Sequence, residues 1–217
     1  MLLACTDGIV TYFPCRNLAA VAGEQFVIDP LDWAMAEDLG EILAVCHSHP
    51  NASANPSMAD RVMCEKSGLP WFVIGWPSGV IKRLDPEGWS APLVGREFHH
   101  GVLDCYTLIQ DYFRVTLGIT LPDFEREDGW WEQGKTLYRD GFGVAGFVEV
   151  NDTPREHDVL LMQVHSDVEN HGAVVLGNGQ ILHHLHGRLS CRDIYGGYWR
   201  RHTRAVLRHR SLVEAAK

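Results

Sequence analysis

Apolar residues fall in short runs between turn residues along the whole chain, and their spacing changes character partway. In the first part, EQFVID (24–29), ILAVC (42–46) and WFVIGW (71–76) are compact apolar runs with polar or turn residues at their ends, which predicts buried strands. DPLDWAMAEDLGE, between the first two, predicts a helix with Asp29 as its cap, and residues 57–67 predict a second helix. Strand and helix alternate, as in an α/β unit. VIKRLDPEGWSAPLVGREFHHG (80–101) predicts a joint, because Pro86, Gly88 and Pro92 interrupt any regular element. After it, CYTLIQDYFRVTLG (105–118) carries apolar residues at 108, 109, 112, 113 and 117, the period of a helix. A Trp- and Gly-rich middle follows, then three strand candidates: DVLLMQV (158–164), HGAVVLG (171–177) and QILHHL (180–185). A helix followed by a run of strands predicts an α+β fold. The closing YWRRHTRAVLRHR holds five arginines and reads first as a solvated face, second as a docking surface for an acidic partner.

Composition narrows the function. A length of 217 residues allows one or two domains, and 46% apolar with 22% charged residues is ordinary for a globular chain. A net charge of -9 argues against a general nucleic-acid binder. No apolar run reaches the ~20 residues of a membrane helix, so no membrane span is expected. MLLACTDGIVTYF lacks a basic leading region, and no signal peptide is expected. The six cysteines, at 5, 15, 46, 64, 105 and 191, form no CxxC pair, which excludes a zinc knuckle or a disulfide framework and suggests synthesis in a reducing cytoplasm.

AVCHSHPNASANPSMAD brings His47, His49, Ser57 and Asp60 into one stretch. Two histidines at i and i+2 of a strand end share a side, and an Asp in the first turn of the next helix closes a third corner. Imidazole nitrogens and a carboxylate with one open position are what catalytic zinc takes. Ser57 stands where a hydroxyl serves an oxyanion, or caps the helix through Asp60; the two are compatible. Cys46 and Cys64 are expected in the core. The pattern H-x-H-x7-S-x2-D, with Pro50 after the second His and Pro56 before the Ser, resembles the JAMM (MPN-type) metalloproteases, whose domain is cytidine-deaminase-like. That resemblance implies zinc held by His47, His49 and Asp60. JAMM proteases also use a general-base Glu near a Pro-x-Glu segment at the domain start. Here Met1–Cys5 resembles the strand after that element, and Glu24 and Glu41 lie in other settings. The expectation is a domain over 1–88 that is incomplete at its start, holding zinc without its base, and slower by ~10²–10⁴ as a hydrolase.

GVLDCYTLIQDYF places Cys105 at a helix N-terminus, where amide donors and dipole favour a thiolate. A thiol nucleophile needs an imidazole, and the imidazole an orienting group. NHGAVVLGNGQILHHL predicts a hairpin. A three-residue turn sets Ala173 opposite His183, so His171 and His183 share a face; a two-residue Asn178-Gly179 turn would separate them. Asp104-Cys105, His171-Gly172 at a strand start, LGNG and a His twelve positions on resemble the NlpC-type cell-wall endopeptidases, which are papain-like. HDVL (157–160) matches their Gly-Asp strand start, with His for Gly. The resemblance implies Cys105 as nucleophile, His171 as base, His183 as orienting residue and Asp104 as holder of a substrate amine, over 92–217. Tyr106 replaces a small residue, and Phe98 stands where those enzymes carry an aromatic, often Tyr.

A JAMM half before an NlpC half resembles the tail-tip assembly K family of lambda-like phages, along nearly the whole chain. That implies other tail-tip proteins and the peptidoglycan stem peptide as partners, and a virion location with action in the host periplasm. Two alternatives stay open: a structural assembly scaffold, and a zinc-dependent processing protease for tail proteins.

Overall fold

The structure is a computed structural model of the chain, and it describes every residue except 6–8, 20, 24, 128 and 215–217. The chain divides into two compact units, Met1–Ala91 and Pro92–Lys217. Each sets helices on a β-sheet, so the fold is α+β. Among the described residues no helix is long and apolar enough to cross a membrane.

The first unit builds β1 (Leu2–Cys5), β2 (Val10–Tyr12), α1 (Pro30–Leu39), β3 (Gly40–Pro50), α2 (Met58–Ser67), β4 (Trp71–Trp76) and β5 (Val80–Leu84). The sheet order is β2-β1-β3-β4-β5, and β3 and β4 are its parallel pair. α1 starts where Asp29 accepts from the Leu31 amide and Pro30 supplies its fixed φ. α2 ends at Gly68 in the left-handed region, φ 66°. Val45, Cys64 and Trp71 form the core between α2 and the sheet, as expected for Cys64.

Two expectations fail here. EQFVID forms no strand: Ile28 makes an isolated bridge to Asn17, and Phe26 stacks on His47 at 4.5 Å. Phe26 and Ile28 serve packing rather than a ladder, and Val27 is exposed; Glu24 lies outside the described residues. The joint also begins later than predicted, because Val80–Leu84 pairs with β4 as an edge strand.

The second unit builds α3 (Cys105–Tyr112), continued by a π-helical turn, then α4 (Leu137–Gly141), β6 (Phe147–Val150), β7 (Val159–Met162), β8 (His171–Leu176), β9 (Gln180–His183), β10 (Cys191–Ile194), α5 (Gly197–His202) and β11 (Thr203–His209). The antiparallel sheet has the order β10-β9-β8-β7-β11-β6. Side chains alternate between its faces. Leu161, Val174, Leu182 and Leu207 meet Leu108, Ile109 and Phe113 of the α3 segment on one face. Leu160, Ala173, Ile181 and Trp199 pack on the other. The arginine-rich end supplies α5 and the interior strand β11; Arg200, Arg201, Arg204 and Arg210 are exposed, as a solvated face requires, while Arg208 departs from it at 4% exposed.

Candidate functional site

The loop between β8 and β9 is Gly177–Gly179, three residues, and Ala173 stands opposite His183. His171 and His183 thus share the Trp199 face, with His183 4.5 Å from the Trp199 ring. His171 Nε2 lies 3.2 Å from His183 Nδ1, and His183 Nε2 lies 3.1 Å from Asp193 Oδ2 on β10. These contacts fix the tautomers. A carboxylate only accepts, so His183 Nε2 carries its proton toward Asp193 and His183 Nδ1 is an acceptor. His171 Nε2–H then donates to it. The lone pair of His171 is left on Nδ1, for which no hydrogen bond is found among the described residues. Burial pulls the His171 imidazole down to about 3, helped by His183 and His184, so it stands neutral as a base must.

Cys105 opens α3, capped by Asp104. The chain approaches β8 closely at Gly172, where a Cβ would lie 2.8 Å from Ile109 Cδ1. This contact sets Cys105 Sγ against the Gly172 amide. Its other partner is the Tyr138 hydroxyl at 3.3 Å. No hydrogen bond joins the sulfur to the His171 ring among the described residues, so the structure brings Cys105 to the residue beside His171 and not to its base. The expected low thiol pKa is also overturned. Burial, then the Asp104 charge, push Cys105 up to about 11, outweighing Tyr138, Gly172 and Arg126.

Asp104 does not hold the position of an amine binder. It is 1% exposed, and its oxygens accept from the Thr107 amide (2.9 Å), the Gly101 amide (3.0 Å) and Arg126 Nε (2.9 Å). Its negative charge is taken by Arg126 and by the helix start. Phe98 packs edge-on against His184 and His186, and the hydroxyl at the thiol comes instead from Tyr138. Tyr138, Arg126 and Asp193 are the residues that sequence reasoning missed. Asp193 had a signal: Cys191-x-Asp193 is a polar alternation in a strand beside His183.

In the first unit, β3 carries His47 and His49, and Ser57 and Asp60 form a capping box at the start of α2. His47 Nε2 is 3.1 Å from His49 Nε2 and 3.1 Å from Asp60 Oδ1; His49 Nε2 is 3.3 Å from Asp60 Oδ2. Zinc with bonds of ~2.0–2.1 Å has tetrahedral edges of about 3.3 Å, so these three donors fit the ion. His49 Nδ1 faces the Ser53 carbonyl at 3.0 Å, which leaves its Nε2 as the ligand nitrogen. That loop lies close because Gly75 faces it; a Cβ there would stand 2.8 Å from the Ala54 nitrogen. His47 Nδ1 is buried without a hydrogen bond among the described residues, so this ring is held by stacking on Phe26. Burial alone would raise the Asp60 carboxyl, but His47 and Ser57 hold it below the usual range. The Ser57 hydroxyl donates to Asp60 Oδ2 at 2.8 Å and accepts its amide at 3.1 Å, so it supports the carboxylate rather than pointing to an oxyanion. Glu41 is exposed, six residues before His47 on the same strand, about 20 Å along it.

Comparison with known proteins adds to this geometry. The model of the NlpC/P60 family matches residues 95–208, and that of the prokaryotic homologs of the JAB domain matches residues 3–89. Tail tip assembly protein K of Escherichia phage N15 is 41% identical over 213 residues, covering 97% of this chain and 87% of that protein. Tail tip assembly protein K of Escherichia phage lambda is 41% identical over 190 residues, covering 87% of this chain and 92% of that protein.

Proposed function

The chain belongs to the family of tail tip assembly protein K, with a JAB-type half before an NlpC/P60 half, and from that membership we propose that it is a phage tail-tip component that cleaves peptidoglycan stem peptides. Its location is then the virion, with other tail-tip proteins as neighbours, and it acts in the host periplasm. The observation that carries the reading is the His171–His183–Asp193 chain, which leaves a buried neutral imidazole with its lone pair on Nδ1 one residue from the amide that touches Cys105.

The reaction runs as acyl transfer. With substrate bound and the Cys105 side chain turned from Tyr138 toward His171, the thiol proton passes to His171 Nδ1, and the sulfur attacks the peptide carbonyl between D-glutamate and diaminopimelate. The His171 Nε2 proton moves onto His183 Nδ1, so the cation forms beside Asp193 and not on the more buried ring. The tetrahedral oxyanion takes the Cys105 amide, an orphan donor of the helix start, and the Tyr138 hydroxyl. The C–N bond breaks as the leaving amine takes the proton from His171 Nδ1 and the relayed proton returns from His183 Nδ1 to His171 Nε2. Water then gives a proton to His171, attacks the thioester and frees the acid and the thiol. In the first half, His47, His49 and Asp60 would hold zinc, which when bound supplies a Lewis acid and a water of lowered pKa.

A second reading, a structural assembly scaffold, has one observation on its side: the Cys105 thiol is buried, protonated and closed under Tyr138. Digestion of purified stem peptides separates them. The expected result is a new amine at the D-glutamate–diaminopimelate bond, blocked by alkylation during turnover and not lowered by chelator. Cleavage that chelator stops and alkylation spares would move hydrolysis to the zinc half. Tail assembly that needs the protein, with no cleavage under any condition, would leave the scaffold.

The buried imidazoles also give a pH dependence of stability. Burial holds His171 at about 3 and His184 at about 4, both below the ordinary imidazole value. The unfolded chain takes up protons below ~6.5 that the folded one refuses, so stability falls with pH from ~6.5 toward 4. The slope expected is up to about 1.4 kcal/mol per pH unit for each ring. Urea unfolding in metal-free buffer across that window measures it, and a flat profile would refute the neutral rings.

A further inference from the structure

We propose that His183, Cys191 and Asp193 form a second metal site, one that takes zinc and switches the thiol chemistry off. The three residues lie on the edge hairpin of the second sheet. Cys191 stands directly opposite His183 in the β9–β10 register, and Asp193 follows two positions later on the same face. Their donor atoms converge: Cys191 Sγ is 3.7 Å and Asp193 Oδ2 3.1 Å from His183 Nε2. All three atoms lie within 4.8 Å of one another. Tetrahedral zinc, with bonds of ~2.0–2.1 Å to nitrogen or oxygen and ~2.3 Å to sulfur, needs edges of about 3.3 and about 3.6 Å. His183 is buried, while Cys191 and Asp193 are half-buried on the edge strand, which gives an ion a way in from solvent. Arg188 Nη1 stands 3.9 Å from the same Asp193 oxygen, too far for a hydrogen bond, and its side chain is 53% exposed and can swing away. A thiolate, an imidazole and a carboxylate with one open position suit zinc better than magnesium or calcium, which take oxygen.

The consequence for the base follows from tautomers, and it rests on the peptidase reading; the metal site does not. Zinc on His183 Nε2 displaces the proton from that nitrogen and leaves His183 protonated on Nδ1. His183 Nδ1–H then donates to His171 Nε2, the reverse of the metal-free bond. His171 keeps its single proton on Nδ1, where it can no longer receive one from Cys105. Both rings stay neutral with one proton each, and the Cys191 thiol releases one proton to solvent as it binds. The metal also takes Asp193, the carboxylate that would stabilise the imidazolium.

Cobalt(II) distinguishes this site from the one in the first half, whose three ligands contain no sulfur. Titration of the metal-free full chain should produce a near-ultraviolet sulfur-to-cobalt charge-transfer band. Cys191→Ser should lose that band, and His49→Ala should keep it. No band in the full chain, or a band that survives Cys191→Ser, overturns the site whether or not any peptide is cleaved. On stem peptides, saturating zinc should lower cleavage by the full chain ~10²-fold or more, the worth of a general base. Cys191→Ser should cleave normally and escape that inhibition. Equal inhibition of Cys191→Ser would overturn the switch and point to zinc on Cys105 itself. A cobalt band without any cleavage would leave the site standing and sink the peptidase reading.

Discussion

Cys105→Ala is expected to stop stem-peptide cleavage, with kcat lower by about 10⁶-fold, the scale on which loss of a catalytic nucleophile is felt. The fold should survive, since the substitution removes only a sulfur whose partners are the Tyr138 hydroxyl and the Gly172 amide. Circular dichroism checks that in the same samples. At the far end of the chain, Asp193→Asn should cost less, about 10²–10⁴-fold in kcat with KM little changed. The carboxamide can offer His183 Nε2 either a carbonyl or an N–H, so the two imidazole tautomers are no longer fixed. It also lacks the charge that stabilises the relayed proton. Burst and steady-state kinetics on the same stem peptide read both numbers. Cleavage that persists in Cys105→Ala would remove the thiol from the mechanism, and an Asp193→Asn variant with wild-type kcat would remove the relay.

The elements best legible in the sequence were those specified by neighbouring residues. Asp29-Pro30 and the Ser57–Asp60 box set helix starts within a single turn, and α1 and α2 stand where those signals put them. The β8–β9 hairpin was legible apart from its turn, because GNG fits two loop lengths and only the register decides between them. Contacts distant in sequence were not legible. Tyr138 reaches Cys105 across 33 positions, through a segment whose Trp and Gly content has no period to read. The thiol pKa was misread for a related reason: a helix N-terminus is local, but the burial that outweighs it comes from residues folded over it. EQFVID failed in the opposite sense, since apolar composition alone cannot tell a strand from a segment that packs on His47.

Arg208 is the one arginine of the closing stretch that leaves the solvated face, and it carries the largest stability prediction. TRAVLRH reads as a basic surface stretch, yet it lies between β7 and β6 with Ala205 and Leu207 in the core. Arg208 is admitted because it carries its own counter-ion: Nε and Nη2 donate to the two oxygens of Asp158 at 2.8 Å each, and Nη1 donates to Asp152 at 3.0 Å. The Arg208 and Asp158 side chains are 5% and 1% exposed. A two-pronged guanidinium matches a carboxylate in a way no lysine can. Arg208→Leu would leave Asp158 buried with, among the described residues, only the Arg155 amide as donor to its side chain, at 2.9 Å. The expected loss is about 3–5 kcal/mol of folding free energy, the cost of stranding a buried charge. Asp158→Asn added to Arg208→Leu should cost much less than the two changes summed, because the first change has already removed the pair and the second removes the stranded charge. Chemical denaturation of the four proteins in that cycle measures the coupling. Additive losses would mean that the pair is not coupled in solution and that β11 is held by its pairing with β7 and β6 and by Ala205 and Leu207.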